Sequence, residues 1–310
     1  SGDGESDGCG QAVLVPGASR GNATRALLKG VQKLAIYQSL WGMQLRSPHC
    51  PERSDDESFA MVAEAGFDGM CLDPSVPEIA ENLEKKSLFD AHGLGCMVNA
   101  FPYAPGDMEP LLDFANDMHA CMVNVISGVM PIKPEDAVPV VRDWIGTAER
   151  KRLPLLFETH RDGLLNDLYF TLQLMDLVPE MRLCSDLSHF VIDRELRAPV
   201  PERDEQFIQS VLERSDCFQG RIANREQVQI QIDFPQHQQW VEIFKSWWKD
   251  GMRMWRARND DNATLVFLCE LGPPPYAMTD ANQEEMSDRW QESLQIRDWV
   301  RQIWAELEEE

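Results

Sequence analysis

The sequence predicts an α/β protein built as a single (β/α)8 TIM barrel, and three observations lead to this fold class. Short apolar runs alternate with longer amphipathic runs from about residue 34 onward. Eight such pairs fit into roughly 275 residues, a usual length for a closed barrel of eight parallel strands. The chain has 310 residues and 43% of them are hydrophobic, enough to bury one large core. A doubly wound sheet of similar length is the alternative.

The predicted elements follow from this alternation, which is typical of repeated strand–helix units and a parallel sheet. Strands are predicted over residues 34–41, 67–73, 94–99, 121–127, 153–158, 182–186, 217–223 and 264–270. Helices are predicted over residues 56–65, 76–91, 108–118, 134–151, 164–178, 203–213, 236–257 and 282–308. Leu164, Leu168, Leu172 and Met175 lie at near-helical spacing and form the buried stripe that an outer barrel helix needs.

Glycine, serine and aspartate are frequent in the segment before the first strand. We therefore predict two parts: an N-terminal arm over residues 1–33, partly disordered or packed on the barrel, and a barrel domain over residues 34–310.

Charge and cysteine usage restrict the partners and the compartment. Acidic residues outnumber basic ones by 52 to 29, giving a net charge of -23, and no lysine- and arginine-rich run offsets it, so nucleic acid is not an expected partner. No apolar stretch approaches the ~20 residues of a membrane span. The eight cysteines include no CxxC pair. Six lie in predicted strands and indicate small buried side chains in a reducing, cytoplasmic compartment: Cys71, Cys96, Cys121, Cys184, Cys217 and Cys269.

Three carboxylates each follow a strand-like run: Glu158 in FETHRD, Asp186 in CSDLSH and Glu270 in LCELGPPPY. The carboxyl ends of parallel strands meet at the face where barrels and open sheets keep their chemistry. Any one of these carboxylates could instead cap a helix or pair with Arg161 or Arg221. Their occurrence together predicts a shared site.

These segments resemble, in the same order, motifs of the xylose-isomerase-like TIM-barrel superfamily of sugar isomerases and epimerases, to which endonuclease IV is distantly related. The resemblance covers roughly residues 34 to 308 and is closest to a sugar phosphate isomerase/epimerase-like bacterial branch. It implies an enzyme of carbohydrate metabolism that isomerises or epimerises a small sugar or related polyhydroxy carbonyl compound.

The resemblance also implies a divalent metal, held by carboxylates on strands five, six and eight and by a histidine on strand seven. By position, the carboxylates are Glu158, Asp186 and Glu270. Where the related branch reads close to His-Ala-Arg-Val-Gly, this chain begins with Gln219. An amide oxygen in that place makes an all-oxygen shell, which favours manganese or magnesium over zinc. The change also weakens the site, so a barrel without a metal is an alternative.

Proton transfer next to a carbonyl is the chemistry that the resemblance implies. In the superfamily's epimerases the carboxylates on strands five and eight are the two acid/base groups, and Glu158 and Glu270 would take these roles. His189 is a further catalytic candidate because it lies three residues past Asp186.

Further side chains are predicted to bind substrate at the same barrel mouth. His160 lies two residues past Glu158. Arg161 and Arg221 could hold a phosphate or carboxylate by bidentate contacts, or could neutralise the acidic cluster instead. The remaining candidates lie at strand ends or in the third motif: Trp41, Asp73, Asn99 and Tyr276.

Two other functions compete with the isomerase. One is a lyase or hydrolase in which Glu158 or His189 is the general base. The other is a metal-free barrel that binds a sugar or a partner protein. The sequence also leaves open a homodimer that pairs through outer helices, for which the tryptophan-rich segment 240–248 offers a surface unless it seals the barrel wall.

Overall fold

A computed structural model of the chain describes residues 31–310, and these residues form the predicted closed barrel. Eight parallel strands pair in chain order, and β8 pairs with β1 to close the barrel. The strands are β1 (Lys33–Ser39), β2 (Gly69–Leu72), β3 (Gly95–Ala100), β4 (Val123–Val125), β5 (Leu155–Glu158), β6 (Leu183–Ser185), β7 (Ser215–Gly220) and β8 (Thr264–Cys269). The predicted fold class is therefore confirmed.

The helices surround this barrel. Within residues 31–310 they are α1 (Asp55–Glu64), α2 (Ile79–Leu83), α3 (Lys86–His92), α4 (Met108–Asp117), α5 (Pro134–Lys151), α6 (Leu168–Leu177), α7 (Leu187–Asp193), α8 (Glu202–Glu213), α9 (Gln238–Arg258) and α10 (Arg289–Glu309). The helix predicted over residues 76–91 is two helices, α2 and α3. The short helix α7 was not predicted, because its residues 187–191 are all buried and show no alternation of a buried and an exposed face.

The alternation of side chains along each strand builds the site. One apolar layer fills the centre of the barrel: Tyr37, Cys71, Met97, Met122, Leu156, Cys184, Cys217, Val266 and Leu268. A side chain two residues further along a strand points to the same side. That step leads from the apolar layer to a polar layer on six consecutive strands, which we call the polar ring: Asn99, Asn124, Glu158, Asp186, Gln219 and Glu270. The barrel therefore places the carboxylates directly above an apolar floor.

Two expectations about individual segments need correction. Cys121 is exposed, because β4 begins only at Val123 and the cysteine lies in the turn before it. Trp240, Trp247 and Trp248 are buried on α9. They seal the barrel wall and do not offer a surface to a second copy of the chain.

Two further expectations concern the arm and the membrane. The predicted N-terminal arm lies outside the described residues except for 31–33, and it stays a prediction. Among the helices of residues 31–310, none combines the length and the apolar character needed to cross a membrane.

Candidate active site

Three carboxylates converge in the polar ring. Glu158, Asp186 and Glu270 are buried, with exposed fractions of 2%, 0% and 6%. One oxygen from each lies within 4.8 Å of the others. Neighbouring carboxylates are more than 25 residues apart in the chain. They meet in space because strands β5, β6 and β8 end at the same face of the barrel.

Two asparagines of the ring orient these carboxylates. Asn99 donates from Nδ2 to Glu270 Oε1 at 2.9 Å and to Asp73 Oδ1 at 2.8 Å. Asn124 donates from Nδ2 to Glu158 Oε2 and to Asn99 Oδ1. Asn124 was not among the predicted site residues, although the two-residue step from the buried Met122 would have pointed to it.

Arg221 supplies the cation of the cluster. Its side chain is 1% exposed and donates to Asp186 Oδ2 and Glu270 Oε2, each at 2.9 Å. Its guanidinium carbon also lies 4.6 Å from the centre of the Tyr276 ring. Burial alone would lower the pKa of Arg221, but the carboxylates of Asp186 and Glu270 raise it above its ordinary value. The guanidinium of Arg221 is therefore paired with two carboxylates of the cluster.

The three carboxyl groups differ in their affinity for a proton. Burial, followed by the charges of Glu270 and Asp186, raises the pKa of Glu158 well above its ordinary value. Burial also raises the pKa of Glu270, to about 8, although Arg221 opposes the shift. Burial alone would also raise the pKa of Asp186, but its interactions with Arg221, His189 and Ser188 outweigh burial and lower that pKa. Asp186 is thus the carboxylate that stays ionised, whereas Glu158 and Glu270 hold a proton more tightly than an ordinary glutamate, Glu270 with a pKa of about 8.

Gln219 lies on β7, at the position for which the resemblance implies a histidine in related chains. Its Nε2 donates to Glu158 Oε2 at 2.7 Å. Its Oε1 is buried and accepts no hydrogen bond from the part of the chain that the structure describes. An orphaned buried oxygen costs free energy unless a ligand or cation reaches it.

The donor set fits a hard divalent cation. Three carboxyl groups face a single guanidinium, so the cluster carries excess negative charge whenever Glu158 and Glu270 are ionised, and burial makes that charge costly. One oxygen from each of Glu158, Asp186 and Glu270 lies close enough to the others to share an ion. Gln219, whose Nε2 donates to Glu158, has a neutral Oε1 without a partner among the described residues. Oxygen ligands of this kind suit magnesium or manganese better than zinc.

A cavity of about 520 Å³ opens above the polar ring. Of the predicted site residues, seven line it: Trp41, Asp73, Glu158, His160, Arg221, Glu270 and Tyr276. Others are buried beneath its surface: Asn99, Asp186, His189 and Gln219. Arg161 is exposed, with its guanidinium carbon 5.5 Å from the centre of the Tyr276 ring.

The two histidines of the motifs pack against each other, with ring centres 4.0 Å apart. Burial and the neighbouring His189 lower the pKa of His160 to about 2, so its ring is neutral. Its Nδ1 accepts from the backbone N–H of Asp162 at 3.2 Å, which leaves the proton on Nε2, 3.5 Å from the Tyr276 hydroxyl. His189 lies 3.3 Å from both Asp186 and Arg221. Its contacts hold the cluster and do not face the cavity.

The cavity also has an outer part that was not predicted from the sequence. Five residues between β2 and α3 line it, together with Phe101 and Tyr103 after β3: Ser75, Glu78, Glu81, Asn82 and Lys85. Neither loop carries a motif, and only the closure of the barrel brings them beside Glu158 and Glu270.

No protein-family model and no curated protein matches the chain. Solved structures resemble it in fold. One is a xylose isomerase-like TIM barrel protein from Mycobacterium smegmatis in complex with magnesium (TM-score 0.56, 16% identity, covering 88% of this chain and 97% of that chain). Another is D-allulose 3-epimerase from Methylomonas sp. in complex with D-allulose (TM-score 0.57, 12% identity, covering 88% of this chain and 98% of that chain). A third is L-ribulose 3-epimerase (TM-score 0.56, 13% identity, covering 88% of this chain and 95% of that chain). The expected resemblance to xylose-isomerase-like barrels is thus confirmed as a resemblance of fold.

Proposed function

We propose that this protein is a divalent-metal-dependent isomerase or epimerase that acts on a small sugar or related polyhydroxy carbonyl compound. The observation that carries the proposal is the pair Glu158 and Glu270, two buried carboxyl groups with raised pKa values that line one cavity. Solved structures of this fold that are named as 3-epimerases of D-allulose and L-ribulose support it.

The two glutamates would perform the proton transfer. In its ionised form, one removes the proton from the carbon next to the carbonyl, and the other returns a proton. A pKa of about 8 for Glu270 suits this exchange, because a general acid or base works best when its pKa is near the operating pH. The amides of Asn99, Asn124 and Gln219 hold the two carboxyl groups in place.

The remaining groups would bind and orient the substrate. His160 presents a neutral Nε2–H, which can donate to a substrate carbonyl or hydroxyl oxygen. Trp41 and Tyr276 pack edge to face, 5.2 Å between ring centres, and form an aromatic wall for the apolar face of a sugar. His189 would position Asp186 and Arg221.

Glu158, Asp186, Gln219 and Glu270 would hold the metal, which we propose to be manganese or magnesium. Such an ion, when bound, stabilises the negative charge that develops on the substrate oxygens as the proton leaves.

Arg221 favours a second candidate function, a sugar-binding barrel without catalysis. Its guanidinium already bridges Asp186 and Glu270. A barrel that had lost its metal could use this arginine to keep the cluster together.

Solvent exchange separates these functions. The native protein with added manganese is incubated with a panel of ketoses in deuterated water, and deuterium on carbon is followed by NMR. We expect exchange into at least one ketose, and a loss of roughly 10²- to 10⁴-fold in Glu158→Gln and Glu270→Gln. Glu213→Gln, an exposed change on α8, is the matched control.

Failure of all ketoses to exchange, with no manganese retained on elemental analysis, would contradict the proposal. A ketose that raises the melting temperature without exchanging would favour the binding barrel.

The compartment is part of the same proposal. All seven cysteines between residues 31 and 310 are unpaired. This supports a reducing, cytoplasmic location.

A further inference from the structure

The cavity is larger than the proposed proton transfer requires. Its volume, about 520 Å³, lies in the roughly 300–1,000 Å³ range of sites that enclose drug-sized ligands, which exceed a single sugar ring. Glu158 and Glu270 are buried at its base, whereas Glu78, Glu81 and Tyr103 are exposed. The exposed residues therefore belong to an outer part that the reacting centre does not use.

Lys85 is the buried cation of this outer part. The residue is 8% exposed and lines the cavity. Its ammonium nitrogen lies 3.6 Å from an oxygen of Asp55 and 3.6 Å from an oxygen of Glu81. Within residues 31–310 it donates no hydrogen bond at a shorter distance. An ammonium group has three N–H donors, and burying them without an acceptor is costly. The donors of Lys85 are thus available to an oxygen of a ligand.

The charges of the cavity disfavour an anionic ligand. Glu78 and Glu81 line the outer part, and Asp73 also lines the cavity. The two cations of the lining, Lys85 and Arg221, each face two carboxylates already. A phosphate would be repelled by the negative electrostatic potential of these carboxylates. An uncharged group with hydroxyl or ether oxygens can accept from Lys85 without this repulsion.

We propose that Lys85, Asn82 and Tyr103 form an outer subsite for a second, uncharged sugar residue. Asn82, three residues before Lys85 in the chain, adds a polar side chain to the same lining, and Tyr103, 68% exposed, adds an aromatic face. The substrate is then a ketose-containing disaccharide or a similar glycoside, and not a monosaccharide or a sugar phosphate. That the ligand is a substrate rests on the proposed function, whereas its binding does not.

Calorimetric titration with four probes tests the subsite: fructose, fructose 6-phosphate, isomaltulose (fructose with glucose on O6) and lactulose (fructose with galactose on O4). We expect one disaccharide to bind about tenfold more tightly than fructose, and fructose 6-phosphate to bind no more tightly than fructose. Lys85→Met should weaken the disaccharide about tenfold, the effect of one lost hydrogen bond, and leave fructose unchanged.

Lys86→Met is the matched control. Lys86 donates to the backbone oxygen of Asp117 and does not line the cavity, so neither sugar should change in affinity. Lys85→Met should fold, because the carboxylates that it leaves behind, on Asp55 and Glu81, have side chains 37% and 76% exposed. Thermal unfolding of both variants checks this.

Three results would overturn the subsite: neither disaccharide binds more tightly than fructose, fructose 6-phosphate binds most tightly, or Lys85→Met weakens fructose and the disaccharide equally. Its failure differs from failure of the proposed function. Disaccharide binding that depends on Lys85 but brings no deuterium into the sugar would keep the subsite and refute the isomerase. Deuterium exchange into fructose without disaccharide binding would support the isomerase and refute the subsite.

Discussion

Gln219 donates from its amide nitrogen to Glu158, whereas its amide oxygen has no partner within the described part of the chain. The Nε2 donor orients a proposed acid/base group, and Oε1 is a buried oxygen that accepts no hydrogen bond from residues 31–310. A histidine there could supply one ring nitrogen to a metal. If the cluster holds a metal, as proposed, the residue at this position would influence which metals it prefers.

Gln219→His should shift the metal preference toward zinc. An imidazole nitrogen is a better zinc ligand than an amide oxygen, so we expect zinc to bind more tightly in the variant than in the native chain, by roughly tenfold or more. Titration of metal-free protein with zinc and with manganese measures the two affinities. Gln206→His, on the exposed face of α8, is the control. Unchanged zinc affinity would mean that strand β7 does not contribute a ligand.

The fit between helix α9 and strand β7 depends on a missing side chain. Gly251 lies in α9, and a Cβ atom there would overlap the ring of Phe218 on β7. Phe218 is fully buried in the barrel wall. The helix can approach the strand closely because this position has no side chain.

Gly251→Ala should therefore destabilise the protein by about 1–3 kcal/mol, the cost of overpacking a core. Helix propensity alone would predict that this substitution stabilises the protein. Gly146→Ala in α5 is the matched control, since its Cβ would meet no atom closer than 3.5 Å. That change should stabilise by about 0.5–1 kcal/mol. Denaturant unfolding of both variants decides; equal stabilisation would show that α9 does not pack as described.

Closure of the whole barrel brings together the two ends of the described chain. Strand β8 pairs with β1, and the last helix, α10, packs beside them. Glu292 on α10 is 4% exposed and accepts at Oε1 from the backbone N–H of Ile232 at 3.1 Å. Burial raises its pKa from 4.5 to about 7.

The raised pKa predicts how the stability of the fold varies with pH. Because the folded protein holds this proton more tightly than the unfolded chain, the contribution of Glu292 is complete below pH ~4.5 and is lost as the pH rises through ~7. The loss is on the order of 3 kcal/mol. Glu292→Gln should remove that part of the decrease in unfolding free energy between pH 5 and pH 8. Identical pH profiles for the native and variant proteins would contradict the assignment.

The sequence by itself determined the barrel and the three carboxylates. Strand–helix alternation is a local property of the chain, and Glu158, Asp186 and Glu270 each stand at the end of an apolar run. The tertiary structure decided what could not be read locally. It pairs Arg221 with Asp186 and Glu270, places Asn124 between Glu158 and Asn99, and brings Lys85 to the cavity. These contacts join strands and loops distant in the chain, so their energies depend on burial and distance, which exist only once the barrel has closed.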